Sequence, residues 1–335
     1  MTNRQKFSMV LVLAYCANSC LTKSITAVLR TWQPDATLAA HALQSLIDVI
    51  PHKHTLSAVV ITDSASKIAV RRAMRSVKGS RRLKKPISLV VEPKMNMNGH
   101  AQQKYSKLTS DKYTDDPYLL HVDSDLMYYR WDDACFFDDG LPLIEYASYE
   151  SLPEFARRWK TGTGQLLGRT VEYEFSRSNQ HVYPRELYSD LRIYLEHKHG
   201  KTLRNLFETT PLVGREQDKV NAPESVILMS DFNILGAYAY YKNWRRNVKL
   251  RNVADGVQTE SCVAQCNLRL FSEACCIAWF SAVKRNTNNP HWRCASDWMP
   301  GDSSCVQTSQ YYGIKTCDSF HLTPCLRSEH AKGIC

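Results

Sequence analysis

Pro117-Tyr-Leu-Leu-His-Val-Asp-Ser-Asp125 is an apolar run that stops at two carboxylates one residue apart. A short, nearly continuous apolar segment bounded by polar residues predicts a strand buried on both faces. Two similar segments precede it. Leu56-Ser-Ala-Val-Val-Ile-Thr-Asp63 again ends in an acid, and Ile87 to Val91 is the third. Between them, Ala65 to Val77 predicts an Arg-rich helix and Gln102 to Lys112 another. Upstream, Leu38, Leu43, Leu46, Ile47 and Ile50 predict a core-facing helix that Pro51 stops. Thr22 to Arg30 also reads as helical. Strands alternating with helices over this distance predict an α/β domain with a mostly parallel sheet. In such sheets ligands sit beyond the carboxyl ends of the strands, where Asp63 and Asp123 both fall.

The 335 residues suffice for one large core or two modest ones. With 44% apolar residues and 10% aromatics, the chain is not disordered, and 13 Gly and 13 Pro exclude a low-complexity architecture. The net charge of +10 favours anionic partners: nucleotides, acidic glycans, nucleic acid or anionic membranes. Its distribution is uneven. No acid lies between Asp63 and Glu92, where Arg71, Arg72, Arg75, Lys78, Arg81, Arg82, Lys84 and Lys85 form a basic run, and nine aspartates follow from Asp111 to Asp139. The run is a solvated face or a site for an anionic donor or acceptor. It lacks interleaved aromatics and any recognisable nucleic-acid module, so no nucleic-acid partner is expected.

Both chain ends carry further signals. Nine of the 12 cysteines lie in the last 74 residues, including adjacent Cys275 and Cys276. That density predicts a disulfide-stapled, Cys-rich region over 255–335 in an oxidising compartment; zinc bound with help from His291, His321 or His330 is the competing reading. Residues 1–20 read either as a short secretory signal, with Arg4 and Lys6 before an apolar run, or as a buried first strand. The first reading places the protein in the lumen of the secretory pathway or outside the cell. The second, with reduced cysteines, places it in the cytoplasm. No segment is long enough for a stable membrane span. Beyond Gly140, Thr161-Gly-Thr-Gly164 reads as a turn or mobile loop, and Pro184 to Phe207 as an amphipathic stretch broken at Gly200.

Asp123 and Asp125 at a strand end suit a hard cation such as Mn²⁺ or Mg²⁺, which binds carboxylate and phosphate oxygens together. Ser124 is placed to orient one of them. Asp63 either accepts from a base or ribose or caps the next helix. Lys107 is placed to meet phosphate, and Gln102 and Gln103 to hydrogen-bond a donor. His121, alternating with Asp123, is expected either in the core or behind the metal-site residues, supporting them. Trp159, Glu172, Tyr173 and Glu174 are candidates for an acceptor groove.

Gly99-His-Ala-Gln-Gln-Lys-Tyr-Ser-Lys-Leu108, the Tyr118-to-Asp125 strand end and Ser230-Asp-Phe-Asn-Ile-Leu-Gly236 together resemble a branch of the GT-A nucleotide-sugar glycosyltransferases over roughly residues 55–245. The resemblance implies a GT-A (Rossmann-like) catalytic domain over 21–250 and metal ligation by Asp123 and Asp125. It further implies a nucleotide-diphosphate sugar donor, with uridine expected, and a glycan, glycoprotein or small-molecule acceptor. Asp231 stands where that branch more often has Glu, and is the candidate acid/base group, with Gly236 permitting close backbone approach. Two rival readings remain: a basic glycan-binding protein on a degenerate transferase scaffold, and a sugar nucleotidyltransferase, whose Gly-rich, Lys-bearing loop is missing.

Overall fold

A computed structural model describes residues 22–79, 82–152, 157–176, 181–210, 212–213, 227–253 and 263–265. The segment 1–20, the Cys-rich region except 263–265, and the late histidines lie outside the described residues.

The elements run β1 (Ser24–Arg30), α1 (Ala36–Val49), β2 (Thr55–Asp63), α2 (Lys67–Met74), β3 (Ser88–Glu92), α3 (Gly99–Leu108), β4 (Tyr118–Val122), β5 (Leu126–Tyr128) and α4 (Asp133–Phe136). Then follow β6 (Phe137–Asp138), β7 (Leu141–Ser148), α5 (Lys160–Leu167), β8 (Tyr173–Glu174), β9 (His181–Pro184), α6 (Arg185–His199) and α7 (Leu203–Thr209). The rest are β10 (Leu212–Val213), β11 (Ile227–Leu228), α8 (Asp231–Tyr241), β12 (Lys249–Asn252) and β13 (Val263–Gln265). No helix among the described residues is long and apolar enough to cross a membrane.

The main sheet has the order β3-β2-β1-β4-β9, parallel except for β9. The chain winds outward from β1 to β2 to β3, then crosses back to β4 on the other side of β1. That reversal makes the gap between the carboxyl ends of β1 and β4 a topological switch point. Side chains alternate along each strand and build two cores. Ile25, Ala27, Leu29, Leu56, Ala58, Val60, Leu120 and Val122 meet α1 and α2 on one face. Val28, Val59, Ile61 and Leu119 meet the layer formed by α3, α6, α7 and α8 on the other. The α/β fold with a mostly parallel sheet is as the sequence predicts.

Two segments differ from expectation. Thr22 to Arg30 is not a helix; it contributes the central strand β1, paired on both sides. Buried on both faces, Ile25 to Leu29 shows no alternation in sequence, and β-branched Thr26, Ile25 and Val28 settle into the strand. Thr161-Gly-Thr-Gly164 is not a loop but lies inside α5. A Cβ on Gly164 would come 2.9 Å from the Arg169 carbonyl oxygen, so the glycine serves close packing. Elsewhere the signals hold. Pro51 follows the end of α1, Gly200 terminates α6 at φ +62°, and Thr202 starts α7 by accepting from Asn205 N. Asn98 caps α3 through Ala101 N at 2.8 Å.

A smaller sheet, β12-β7-β6 with β8 on β7, extends the fold. By backbone pairing β13 runs antiparallel to β5, in the register Val263–Tyr128 to Gln265–Leu126, so the start of the Cys-rich region lies along the strand that follows Asp125.

Candidate active site

The acidic pair sits where β4 ends. Leu126 N donates to Asp123 O at 3.1 Å, so Asp123-Ser124-Asp125-Leu126 is a tight turn rather than a continued strand. The side chain of Asp123 remains one-third exposed, and Ser124 and Asp125 are half-buried.

Behind the turn lies a buried ionic cluster. Lys107 Nζ, from the last turn of α3, donates to Asp123 Oδ1 at 2.7 Å and lies 3.5 Å from Asp231 Oδ2. Lys104 Nζ donates to the other oxygen of Asp231 at 3.1 Å. Lys104 and Lys107 share a helix face because they are three residues apart. Asp231 occupies the first turn of α8, whose cap Ser230 accepts from Asn233 N. Helix N-termini favour negative charge, which adds to the lysines. Only 4% of the Asp231 side chain and 5% of the Lys107 side chain reach solvent, so each charge depends on its partners.

The electrostatics follow from that geometry. Burial pushes Lys107 down, but Asp123 and Asp231 outweigh it and hold the ammonium well above its ordinary pKa. Burial pushes Asp231 up, and Lys104 and Lys107 more than reverse this, leaving it well below the usual carboxylate range. Asp123 is likewise lowered, with Lys107 opposing the effect of burial. All three are ionised at neutral pH.

Neutral rings form the floor. Phe232 lies 4.4 Å beneath Lys107 Nζ and stacks on His181 with centroids 3.6 Å apart. His181 is opposite His121 in the β4–β9 register, and His121 Nε2 shares a 2.6 Å hydrogen bond with the Tyr188 hydroxyl. Burial, reinforced by Lys107, lowers His121 to about 3. Burial lowers His181 to about 3 as well. His121 is thus a core residue, one of its two expected placements.

Of the sequence-predicted residues, Asp123, Lys107 and Asp231 come together, with Asp125 in the adjoining turn. The others stand apart. Gln102 is buried and donates to Pro93 O at 3.1 Å, bracing the loop before α3. Gln103 is half-buried and its side chain makes no hydrogen bond among the described residues, and the same holds for the Ser124 side chain. Asp63 accepts from Ser66 N at 2.7 Å and Ser66 Oγ at 3.2 Å, bracing the turn before α2, whose own cap position is Ser66. Glu174 is buried and accepts from Ser176 N and Asn233 Nδ2, while Tyr173 packs on Tyr146 and Tyr240. Asn233 Oδ1 also accepts from Phe175 N at 2.6 Å, tying β8 to α8.

Sequence reading missed Lys104 and His181. The spacing of Lys104 from Lys107 carried a signal for the first. Only the β4–β9 register reveals the second.

The donor set suits a hard cation that takes one or two carboxylates and completes its shell with phosphate and water oxygens. Among the described residues no three His, Cys, Asp or Glu side chains gather as a complete protein cage. Asp123 and Asp125 are the residues that would hold such an ion.

No protein-family model matches the chain, and no curated protein sequence matches it. Among solved structures, the chain is similar to an active-site mutant of LgtC, at 14% identity and TM-score 0.32, over 53% of this chain and just under two thirds, 65%, of that one. It is similar to the galactosyltransferase LgtC in complex with donor and acceptor sugar analogues, at 14% identity and TM-score 0.40, over 78% and 95%. It is also similar to mouse xyloside xylosyltransferase 1 in its apo form, at 12% identity and TM-score 0.34, over 74% and 99%. Likenesses this distant fix neither activity nor substrate.

Proposed function

We propose that this protein is a metal-dependent glycosyltransferase, moving a sugar from a nucleotide diphosphate, with uridine expected, to an acceptor hydroxyl on a glycan, protein or small molecule. One arrangement carries the reading. A two-carboxylate turn at the switch point of a parallel sheet stands beside two lysines that a third carboxylate holds. Carboxylates alone would repel a diphosphate; carboxylates that could take a divalent ion, with ammonium groups beside them, suit it.

A cation on Asp123 and Asp125 would neutralise the diphosphate and stabilise the charge that grows as it leaves. The chain's own groups do the rest. Lys104 and Lys107 face the phosphates. As they turn toward phosphate oxygens, Asp231 loses part of its compensating positive charge and its affinity for a proton rises. Asp231 then accepts the proton of the acceptor hydroxyl while that oxygen bonds to the anomeric carbon. The bond from that carbon to the phosphate oxygen breaks, and its electron pair leaves with the diphosphate. In this reading the product has inverted configuration; a retained configuration would assign Asp231 another role.

The catalytic domain spans 21–250 in this proposal, with 255–335 as a Cys-rich extension. A lumenal or secreted location is supported by the cysteine density and by Cys135, which is buried and disulfide-bonded. One observation favours a second reading, a glycan-binding protein on a degenerate transferase scaffold: Asp123 Oδ1 is already paired with an ammonium.

Calorimetric titration of uridine diphosphate, with and without Mn²⁺, separates the two. The transferase reading expects binding that needs Mn²⁺ and is lost in Asp123→Asn/Asp125→Asn. If no uridine, guanosine or cytidine diphosphate binds in a metal-dependent way, the degenerate scaffold replaces it.

A further inference from the structure

The basic run divides in two once its contacts are known. Arg82 closes the end of α1, donating to the carbonyl oxygens of Ile47 at 2.6 Å and Ile50 at 2.5 Å. Lys84 pairs with Asp116 at 3.1 Å. Those two are structural. Arg71, Arg72, Arg75 and Lys78 are exposed, and their side chains have no ion pair or hydrogen bond among the described residues.

The three arginines are arranged on one face. With Ile68 they stand at i, i+3, i+4 and i+7, while Val70 and Met74 point into the core. Ile68 is 75% exposed. The acids on the elements packed against α2 are already engaged: Asp35 by the Trp32 indole at 2.6 Å, Asp48 by Gln44 at 2.8 Å, and Asp63 by Ser66. None of those acids pairs with the arginines, so among the described residues the positive face has no direct carboxylate partner. Helix α2 begins four residues after β2 ends at Asp63, so its N-terminal end lies at the sheet edge that carries Asp123, and the arginines follow in its last turn and at its C-cap. Trp32, 53% exposed, follows the end of β1 at that same edge and leads into the turn that packs on α2.

We propose that this face docks a linear, sulfated or carboxylated glycan, with the arginine forks taking the anionic groups and Trp32 offering its ring to a sugar. Guanidinium groups pair with such oxyanions in two-bond geometry, which three arginines supply and lysines would not. A membrane suits the face less well, because among the described residues Ile68 is the one large apolar side chain of α2 that is exposed, and Val70 and Met74 are buried. The choice of a glycan over another polyanion rests on the glycosyltransferase reading.

The test is titration of a heparin-derived octasaccharide into the full chain, against Arg71→Ala/Arg72→Ala/Arg75→Ala, at several salt concentrations. The expected result is a loss of about tenfold or more in affinity, a shallower salt dependence, and an unchanged melting temperature, since these side chains are unpaired. The Arg→Lys triple variant should recover only part of the affinity. Equal octasaccharide affinity in the native chain and the alanine variant overturns the proposal. So does equal affinity of the native chain for single-stranded DNA of matched charge, or preferential binding to phosphatidylserine vesicles. Asp123→Asn/Asp125→Asn should leave octasaccharide binding intact, and the arginine variant should leave uridine diphosphate binding intact. Failure at one site is thereby distinguishable from failure at the other.

Discussion

The two faces of the central sheet are built on opposite principles. The face under α1 and α2 is packed with Ile, Leu, Val and Ala from Ile25 to Val122. The face under α3 and α8 includes aliphatic residues too, but buries Lys107, Asp231, Asn233, His121 and His181 among tyrosines and Phe232. A core needs only apolar volume, and buried ions are a poor way to obtain stability. Charges retained on one face, at the strand ends where ligands bind, mark that face as the working one.

Removing one charge should have the largest effect. Lys107→Ala leaves Asp123 and Asp231 short of their shared counter-ion and should destabilise the protein by about 3–5 kcal/mol. Leu43→Ala on the apolar face should cost about 2–5 kcal/mol through its cavity. Thermal unfolding and nucleotide titration together sharpen the contrast. Both variants melt earlier, and only Lys107→Ala weakens nucleotide binding at temperatures where it is folded. Equal nucleotide affinity in the two would erase the distinction between the faces.

Acid should also act through the charged face. His121 and His181 lie near pKa 3 when folded, against about 6.5 unfolded. Below about pH 6.5 the unfolded chain takes up protons that the folded chain refuses, so this stability is full above 6.5 and lost as pH falls towards 3. At pH 5 the loss is about 2 kcal/mol per histidine. Urea unfolding at pH 7.5 and pH 5, for the native chain and His121→Phe, measures it. A pH dependence unchanged by the substitution would contradict the burial of a neutral imidazole.

Gly236→Ala tests how tightly α8 is held. A Cβ there would lie 2.6 Å from Cγ of Phe175, so the helix carrying Asp231 must shift. Overpacking of this kind costs about 1–3 kcal/mol, and the displaced carboxylate should lower transfer rate beyond the loss of folded protein. Wild-type turnover per folded molecule would show that the position of α8 is unimportant to the reaction.

The apolar face was easy to read from sequence because its signals are local. The runs ending at Asp63 and Asp123 have strand length, and Pro51 marks where α1 stops. The central strand β1 was misread because a strand buried on both sides loses its alternation. Within the site, Asp123, Lys107 and Asp231 were readable as residue types at element ends. Their mutual pairing was not, since it depends on α3 and α8 converging across 124 residues of sequence. Gln102 shows the opposite error: a polar residue beside a site can serve a loop carbonyl instead.

The most direct measurement is release of nucleotide diphosphate from a panel of uridine-linked sugars with Mn²⁺, comparing the native chain with Asp123→Asn/Asp125→Asn. Release by the native chain from at least one donor, abolished in the variant, is the predicted result. A folded native chain that releases nothing from uridine-, guanosine- or cytidine-linked sugars, with and without added acceptors, would contradict catalysis at the charged face.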